Sequence, residues 1–338
     1  MTRMRTILFH PPSPVDAGMF DTPPGGDAHA PWIYARDRLL ESGVQILTSY
    51  RYTGSLDAVE WVVFMAMPAS AAHRFSLRGL ARSLLRGFPA PDFFDTCCRA
   101  PRPPQLAVML WEPPVVSPEN YLRDVHRKFA RVFTWSERLL REGGNYRPIT
   151  WPQPPVVDDP IDVSFADRKL LCNFSGNKTS VVTNELYSAR VTAIRHMEAH
   201  HLANFDHYGP GWGQGYPSWR GVVDSKFTVY PHYRFGLCFE NMRDEPGYIT
   251  EKIFDCLRSG CVPVYYGAPE IAERVPAAAF INLRDYASIE ATLGALPLIS
   301  EVRWREMREA GQAFLHSSAF DRYQRESLFN QLREGLAL

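Results

Sequence analysis

Along the first half of the chain, short apolar blocks alternate with stretches whose apolar residues recur at helical spacing. RTILFH (5–10), VQILTS (44–49), WVVFM (61–65), QLAVML (105–110) and ARVFTWS (130–136) have the length of strands, and residues 32–42 read as a helix. Nearly continuous apolar strands joined by helices predict a parallel sheet buried on both faces. Residues 117–129 are expected as a helix and 147–151 as the last extended piece of this half. The connection over residues 11–31 is rich in Pro, Gly and Asp and long for a strand-to-helix loop, which suits either a functional loop or disorder.

The alternation resumes after WPQPPVVDDPIDVSFADRK (151–169), whose proline and aspartate content is that of a linker, so a boundary is placed near residue 155. KLLCNFSGN (169–177) opens the second half as strand and polar turn, followed by a long helix over 184–200. YRFGLCF (233–239) alternates as a strand, and Ile253, Phe254, Cys256 and Leu257 give the next helix a buried side. Gly260 stands where a left-handed C-terminal residue is expected, and CVPVYYG resumes as strand. A strand over 279–286 and helices over 288–296, 300–315 and 321–336 complete the pattern. The expected organisation is two domains, 1–155 and 156–338, with the C-terminal helices counted in the second or packing back across the first.

The chain has 338 residues, enough for two cores, and its Lys plus Arg and Asp plus Glu each number 37, so general nucleic-acid binding is not expected. No apolar run reaches the length of a membrane span, and MTRMRT leads directly into a strand, which gives the expectation of a cytoplasmic protein. Six cysteines without zinc spacing, Cys97 and Cys98 adjacent, read as reduced core residues. Asp158, Asp159 and Asp162 lie among prolines and read as linker solvation, with no metal site expected. Over 73–88, Arg74, Arg78, Arg82 and Arg86 recur every fourth residue opposite Leu77, Leu80 and Leu84. A membrane-surface helix is written this way, although Gly79 and the short length favour a domain helix with a solvated arginine face. FDHYGPGWGQG places Gly209, Gly211, Gly213 and Gly215 on alternate positions; no helical pattern follows, so it reads as a turn and not as a dinucleotide fingerprint.

The chemistry concentrates between Phe239 and Glu270. After the strand comes a polar loop containing Glu240, Asn241, Met242 and RDEP, then Gly247 and Tyr248; Thr250 stands as N-cap, with Glu251 and Lys252 in the first helical turn. A helix N-terminus with a lysine suits an anion such as a diphosphate, and Glu251 can accept from sugar hydroxyls. On their own, Glu251 and Lys252 could equally be an ordinary surface pair on a capped helix.

FENM, YITEK and VPVYYGAPE, in this order, resemble the donor-binding core of the α-1,3-fucosyltransferases, glycosyltransferase family ten. The likeness is specific over this stretch of about forty residues and architectural elsewhere. It departs at Met242, where the family commonly has Ser, and in the charged RDEP insert. The resemblance implies an α/β fold of GT-B type, two Rossmann-like domains with parallel sheets facing a central cleft, the first binding acceptor and the second the nucleotide sugar. It implies an inverting transfer of L-fucose from GDP-fucose to a glycan hydroxyl, without an essential metal or other cofactor, in bacterial surface polysaccharide or lipopolysaccharide O-antigen synthesis. The site residues implied are Glu112, at a strand end, as base, with Glu119 as fallback; Arg190, with Arg195 as alternative, on the donor phosphates; and Glu240, Asn241, Tyr248, Thr250, Glu251 and Lys252 around the donor. Glu251 or Glu240 would stabilise positive charge at the sugar, and Trp111 and Pro113 would raise the pKa of Glu112. The partners implied are a nucleotide sugar and an oligosaccharide or lipid-linked glycan; the membrane-surface reading of 73–88, where it holds, would add peripheral contact at the inner membrane. The alternatives are transfer of a different GDP-linked deoxysugar and a nucleotide-sugar-binding protein without catalysis. An NAD-dependent oxidoreductase lacks its glycine fingerprint here.

Overall fold

The computed structural model describes residues 4–21, 29–74, 91–156 and 161–338. The chain divides into two compact units, Met1–Pro155 with Tyr323–Leu338, and Val156–Arg322.

In the first unit the strands are β1 (Arg5–His10), β2 (Val44–Thr48), β3 (Trp61–Phe64), β4 (Gln105–Leu110), β5 (Arg131–Thr134) and β6 (Tyr146–Pro148). They form one sheet in the order β2-β1-β3-β4-β5-β6, every pairing parallel. Successive side chains leave a strand on opposite faces, so the apolar blocks feed two cores at once. Ile7, Phe9, Val63, Met109 and Phe133 enter one core with Trp32 and Leu39 of α1 (Ala30–Glu41). Leu8, Val62, Phe64, Val108 and Val132 enter the other with Phe94 of the helix at Phe93–Arg99.

The final helix, Arg325–Gly335, places Leu328, Phe329 and Leu332 in the core of Ile7 and Phe9. Residues 323–338 therefore belong with the first unit, in line with the packing-back alternative, and the end expected for the second domain moves from 338 to 322. Its apolar face found the open side of the first sheet, held also by Gln331, whose Oε1 accepts from the Thr150 amide at 3.0 Å.

The second unit is built on β7 (Lys169–Phe174), β8 (Phe205–Tyr208), β9 (Tyr233–Phe239), β10 (Val262–Tyr266) and β11 (Ile281–Asn282), ordered β11-β10-β9-β7-β8 and all parallel. Phe235, Leu237 and Phe239 pack with Ile194 and Met197 of the helix at Tyr187–His201. Gly236 faces the other way, toward the helix at Glu251–Arg258, where an added Cβ would stand 2.7 Å from Cys256 Sγ. All six cysteines are free thiols, Cys98 exposed and the other five buried.

Two expectations fail locally. Residues 117–129 do not make one helix: a 3-10 turn at Pro118–Tyr121 is followed by a helical turn at Arg123–His126, with Leu122 between them at φ −81° and ψ 91°. Residues 279–286 give only the two-residue β11, because Asn282 Oδ1 accepts from the Arg284 amide and turns the chain. Most of the arginine stripe, residues 75–90, lies outside the described residues, as do Asp158 and Asp159. No helix among the described residues is long and apolar enough to cross a membrane.

Candidate functional site

In the second sheet the chain starts at β7, steps to β8, then crosses to β9 on the other side. Ligands of open parallel sheets bind beyond the strand C-termini where the order reverses, here between β7 and β9. β9 ends there at Phe239, and Glu240 and Asn241 follow directly. The loop that follows is tied down on both sides. Asn184 O accepts from the Arg243 amide at 2.9 Å, Asn241 O accepts from the Leu186 amide at 3.0 Å, and Asp244 pairs with Arg284 at 2.5 Å.

Glu240 is fully enclosed. Its Oε1 accepts from the Thr250 amide and its Oε2 from the Thr250 hydroxyl, both at 2.8 Å, and Lys252 Nζ lies 3.2 Å from Oε2. Lys252 Nζ also donates to Thr250 Oγ1 at 2.9 Å. Thr250 occupies the N-cap position of the helix Glu251–Arg258, but its side chain makes no capping bond, being committed to Glu240 and Lys252. The expected N-cap is therefore a bridge between carboxylate and ammonium, and the first amides of the helix are not taken by Thr250. Glu240 touches neighbours with both oxygens, so its influence on a ligand runs through Lys252.

Burial disfavours the Lys252 charge, yet Glu240 and Glu251 outweigh it and hold the pKa above the ordinary lysine value. Burial likewise presses the Glu251 carboxyl upward, while the charges of Lys252 and Lys226 more than offset it and bring it down to about 2. Both groups are thus charged at neutral pH. The Glu251 side chain is 36% exposed and that of Lys252 18%, which makes these two the accessible members of the cluster.

Arg190, 4% exposed, reaches the same point from the helix Tyr187–His201. Its Nη2 donates to Phe239 O at 2.7 Å and to Asn241 Oδ1 at 2.9 Å; Asn241 Nδ2 in turn donates to Tyr248 Oη at 3.2 Å. Among the described residues no carboxylate lies within ion-pair distance of Arg190, and burial lowers its pKa. A buried guanidinium satisfied only by neutral oxygens is electrostatically suited to an anion. Arg195 is not brought in: it pairs with Glu198 at 2.9 Å and lies 3.8 Å over the Tyr216 ring.

Met242 is 5% exposed and bridges by backbone to Glu185, so its side chain fills the interior. Sequence reasoning missed three supporting residues. Glu185 Oε2 accepts from the Tyr187 and Ser188 amides at 2.6 and 3.0 Å and so caps the arginine-bearing helix. Glu270 Oε1 accepts from the Gly247 amide at 2.6 Å. Gly267 lies so close to Glu240 that a Cβ would meet its Cγ at 2.5 Å. The last two were inside the motif strings, where only the glycine and glutamate themselves signalled a close approach. The glycine-rich segment is a turn, Gly209 and Gly211 having φ of 128° and 82°, packed on Ser175 and Asn177 after β7.

Glu112 stands beyond the C-terminal end of β4 in the first unit, half-buried; its carbonyl accepts from Asn120 Nδ2 at 3.1 Å. Trp111 packs edge-on against Trp32 and Trp151. Glu119 lies in the 3-10 turn that follows. Among the described residues no group of His, Cys, Asp or Glu is arranged to hold a metal ion, and Asp162 pairs with Arg308 at 3.1 Å.

Comparison with known proteins bears on the same elements. Residues 175–303 match the family model "Glycosyltransferase family 10 (fucosyltransferase) C-term", a stretch that contains every second-unit residue of the cluster. The chain is 35% identical over 71 residues to the α-(1,3)-fucosyltransferase of Helicobacter pylori, 21% of this chain and 15% of that protein. It is 41% identical over 91 residues to an Arabidopsis thaliana α-(1,4)-fucosyltransferase, 21% of this chain and 22% of the relative. The matched stretches thus span less than a quarter of these relatives' length. Across whole chains the likeness is one of fold. A crystal structure of an α1,3-fucosyltransferase with GDP superimposes with TM-score 0.53 at 12% identity over 100% of this chain and 92% of that one. An α-glucosyltransferase in complex with UDP and DNA gives 0.55 at 10% identity over 99% and 100%. The fold is of the GT-B type, and its second unit carries the C-terminal sequence signature of glycosyltransferase family 10.

Proposed function

We propose that the protein transfers L-fucose from GDP-fucose to a hydroxyl of a glycan, with inversion at the anomeric carbon. The observation that carries this reading is Arg190, buried without a carboxylate partner, beside a Lys252 fixed by an enclosed glutamate at the start of a helix. The two cations and the helix N-terminus make an anion site within the stretch similar to fucosyltransferases. In the reaction the acceptor oxygen bonds to C1 of fucose, its proton passes to the Glu112 carboxylate, and the C1–O bond to the β-phosphate breaks. GDP leaves with the electron pair, stabilised by Arg190 and Lys252. Glu251, charged at neutral pH and partly exposed, faces the developing positive charge of the sugar.

The donor belongs to the second unit and the acceptor to the first. The two cations take the role that a metal has elsewhere, so none is required. Cytoplasmic assembly of a bacterial surface polysaccharide, such as a lipopolysaccharide O-antigen, is the setting that goes with this chemistry, the acceptor being an oligosaccharide or lipid-linked glycan.

Calorimetric titration with GDP, GDP-fucose, GDP-mannose and UDP-galactose in the presence of chelator tests the reading. Binding of GDP and GDP-fucose is expected. Preference for UDP-galactose, or binding that appears only when divalent metal is restored, would count against it. The base is tested separately: Glu112→Gln should lower turnover about 10²–10⁴-fold with GDP affinity retained.

A further inference from the structure

The first sheet also has a point where its order reverses. The chain begins at β1, steps to β2 on one side, and crosses to β3 on the other, so the reversal lies between β1 and β3. The crevice beyond those strand ends is where an open parallel sheet takes its ligand. β1 ends in His10 and β3 in Phe64, and the two are partners in register.

His10 is held on several sides. Its Nδ1 lies 2.7 Å from Ser49 Oγ, just past the end of β2. Its ring stacks on Phe93 with centroids 4.8 Å apart, lies 5.1 Å from Tyr50, and meets Phe64 edge-on at 5.3 Å. Among the described residues no protein group bonds Nε2, and the residue is only half-buried. Tyr50 beside it is 41% exposed. Asp92, at the start of the Phe93–Arg99 helix, is the charge that acts on the ring, and Tyr50 is the other titratable neighbour; β3 contributes only apolar Phe64. Burial lowers the imidazole pKa below its ordinary 6.5, against the opposing pull of Asp92. The neutral ring has one nitrogen protonated and one accepting, so if Nδ1–H donates to Ser49 Oγ, Nε2 is an acceptor.

An imidazole held through Nδ1 and presenting an unbonded Nε2, with an exposed aromatic ring at its side, is the wall-and-polar-group arrangement of a small-ligand site. Nothing in the amphipathic pattern of the chain requires a histidine there. We propose that His10 is an acceptor-binding residue: Nε2 accepts a hydrogen bond from a sugar hydroxyl of the acceptor glycan, with Tyr50 as the adjoining wall. This rests on the reading of the protein as a glycan-modifying transferase, but not on the identity of the donor.

The test is ligand-observed saturation-transfer NMR with galactose-, N-acetylglucosamine- and glucose-terminated oligosaccharides, on wild type, His10→Ala and His10→Gln, with GDP calorimetry in parallel. At least one glycan should bind wild type. His10→Ala should weaken it about tenfold, and His10→Gln, which keeps an accepting oxygen, should recover part of the loss. Wild-type affinity should fall as pH drops below 6.5, because the protonated ring cannot accept, whereas His10→Gln should be insensitive. Unchanged glycan affinity in His10→Ala, the same pH response in wild type and His10→Gln, or no glycan bound by wild type would each overturn the assignment. GDP affinity should be equal in all three proteins. Glycan binding as expected, with no GDP binding by wild type, would sink the fucosyl-donor reading and leave His10 in place.

Discussion

Lys252 and Glu240 illustrate how binding and stability are separable at single residues. Removing the ammonium leaves a carboxylate sealed in the interior, so Lys252→Met should cost stability, about 3 kcal/mol for breaking a buried pair, as well as GDP affinity. The double variant Glu240→Gln with Lys252→Met removes the stranded charge. Chemical denaturation should find it more stable than the single variant, while calorimetry finds GDP binding still lost. Equal stability of the two would mean that the pair does not carry charge complementarity. Arg190→Lys is not conservative here: Nη2 alone donates to both Phe239 O and Asn241 Oδ1, and a lysine making those two bonds has no second nitrogen to offer an anion; a fall of about tenfold or more in GDP affinity is expected.

The pH behaviour follows from the same charges. Glu251 titrates near 2 in the folded protein against an ordinary 4.5, so its contribution to stability is present above about 4.5 and lost as pH falls toward 2. A third of its side chain is exposed, and solvent screening reduces the contribution accordingly. Lys252 has the opposite sign: its pKa is raised, so its contribution is complete below the unfolded lysine value and lost only when pH rises through the folded one. Melting curves of wild type and Glu251→Gln should therefore converge as pH is lowered from about 4.5 to about 2.

At the scale of elements, the strand–loop–helix–strand from 233 to 267 was legible because its signals agree. Apolar alternation marks β9, a run of apolar residues marks the buried side of the helix, and Gly260, at φ 64°, ends it. What was not legible was the use to which Thr250 is put. A threonine before a helix reads as a cap, and only the enclosed Glu240 beneath it, brought there by β9, redirects its hydroxyl. Gly267 was visible as part of a motif, while its reason, close approach to Glu240, exists only once β9 and β10 pair. Gly267→Ala should push the Glu240 side chain off Lys252 and lower GDP affinity as well as the melting temperature; a neutral result would show that the loop absorbs a methyl group without moving the pair. The expected helix over 117–129 failed for a local reason, since Pro118 starts a tight turn and Leu122 leaves helical angles before the next turn begins. His10 lay in no motif, and it is the strand order that gives its position meaning.

At the scale of the whole molecule, periodicity identified two parallel α/β units and a break near residue 155, but not the allegiance of the last helix. An amphipathic helix announces that it has an apolar face and not which sheet will cover it. Leu332 lies 1% exposed in the first unit's core, so Leu332→Ala should destabilise that unit by about 2–5 kcal/mol. The second unit, and with it GDP binding, should be spared. Calorimetric scanning of the variant with and without GDP would separate the two transitions.

That return of the chain also sets an order of events during synthesis. Domains ordinarily complete themselves from the N-terminus as they leave the ribosome. Here the first 155 residues emerge with one side of their core uncovered, and the helix that covers it is translated only after the whole second unit. Residues 156–322 contain every element of their own unit, and the helix that covers the first core follows them, so the second unit has its parts complete before the first. A chain that ends at residue 322 and is released from the ribosome should thus already bind GDP, and its N-terminal unit should still be open to protease and to chaperones that hold exposed apolar surface.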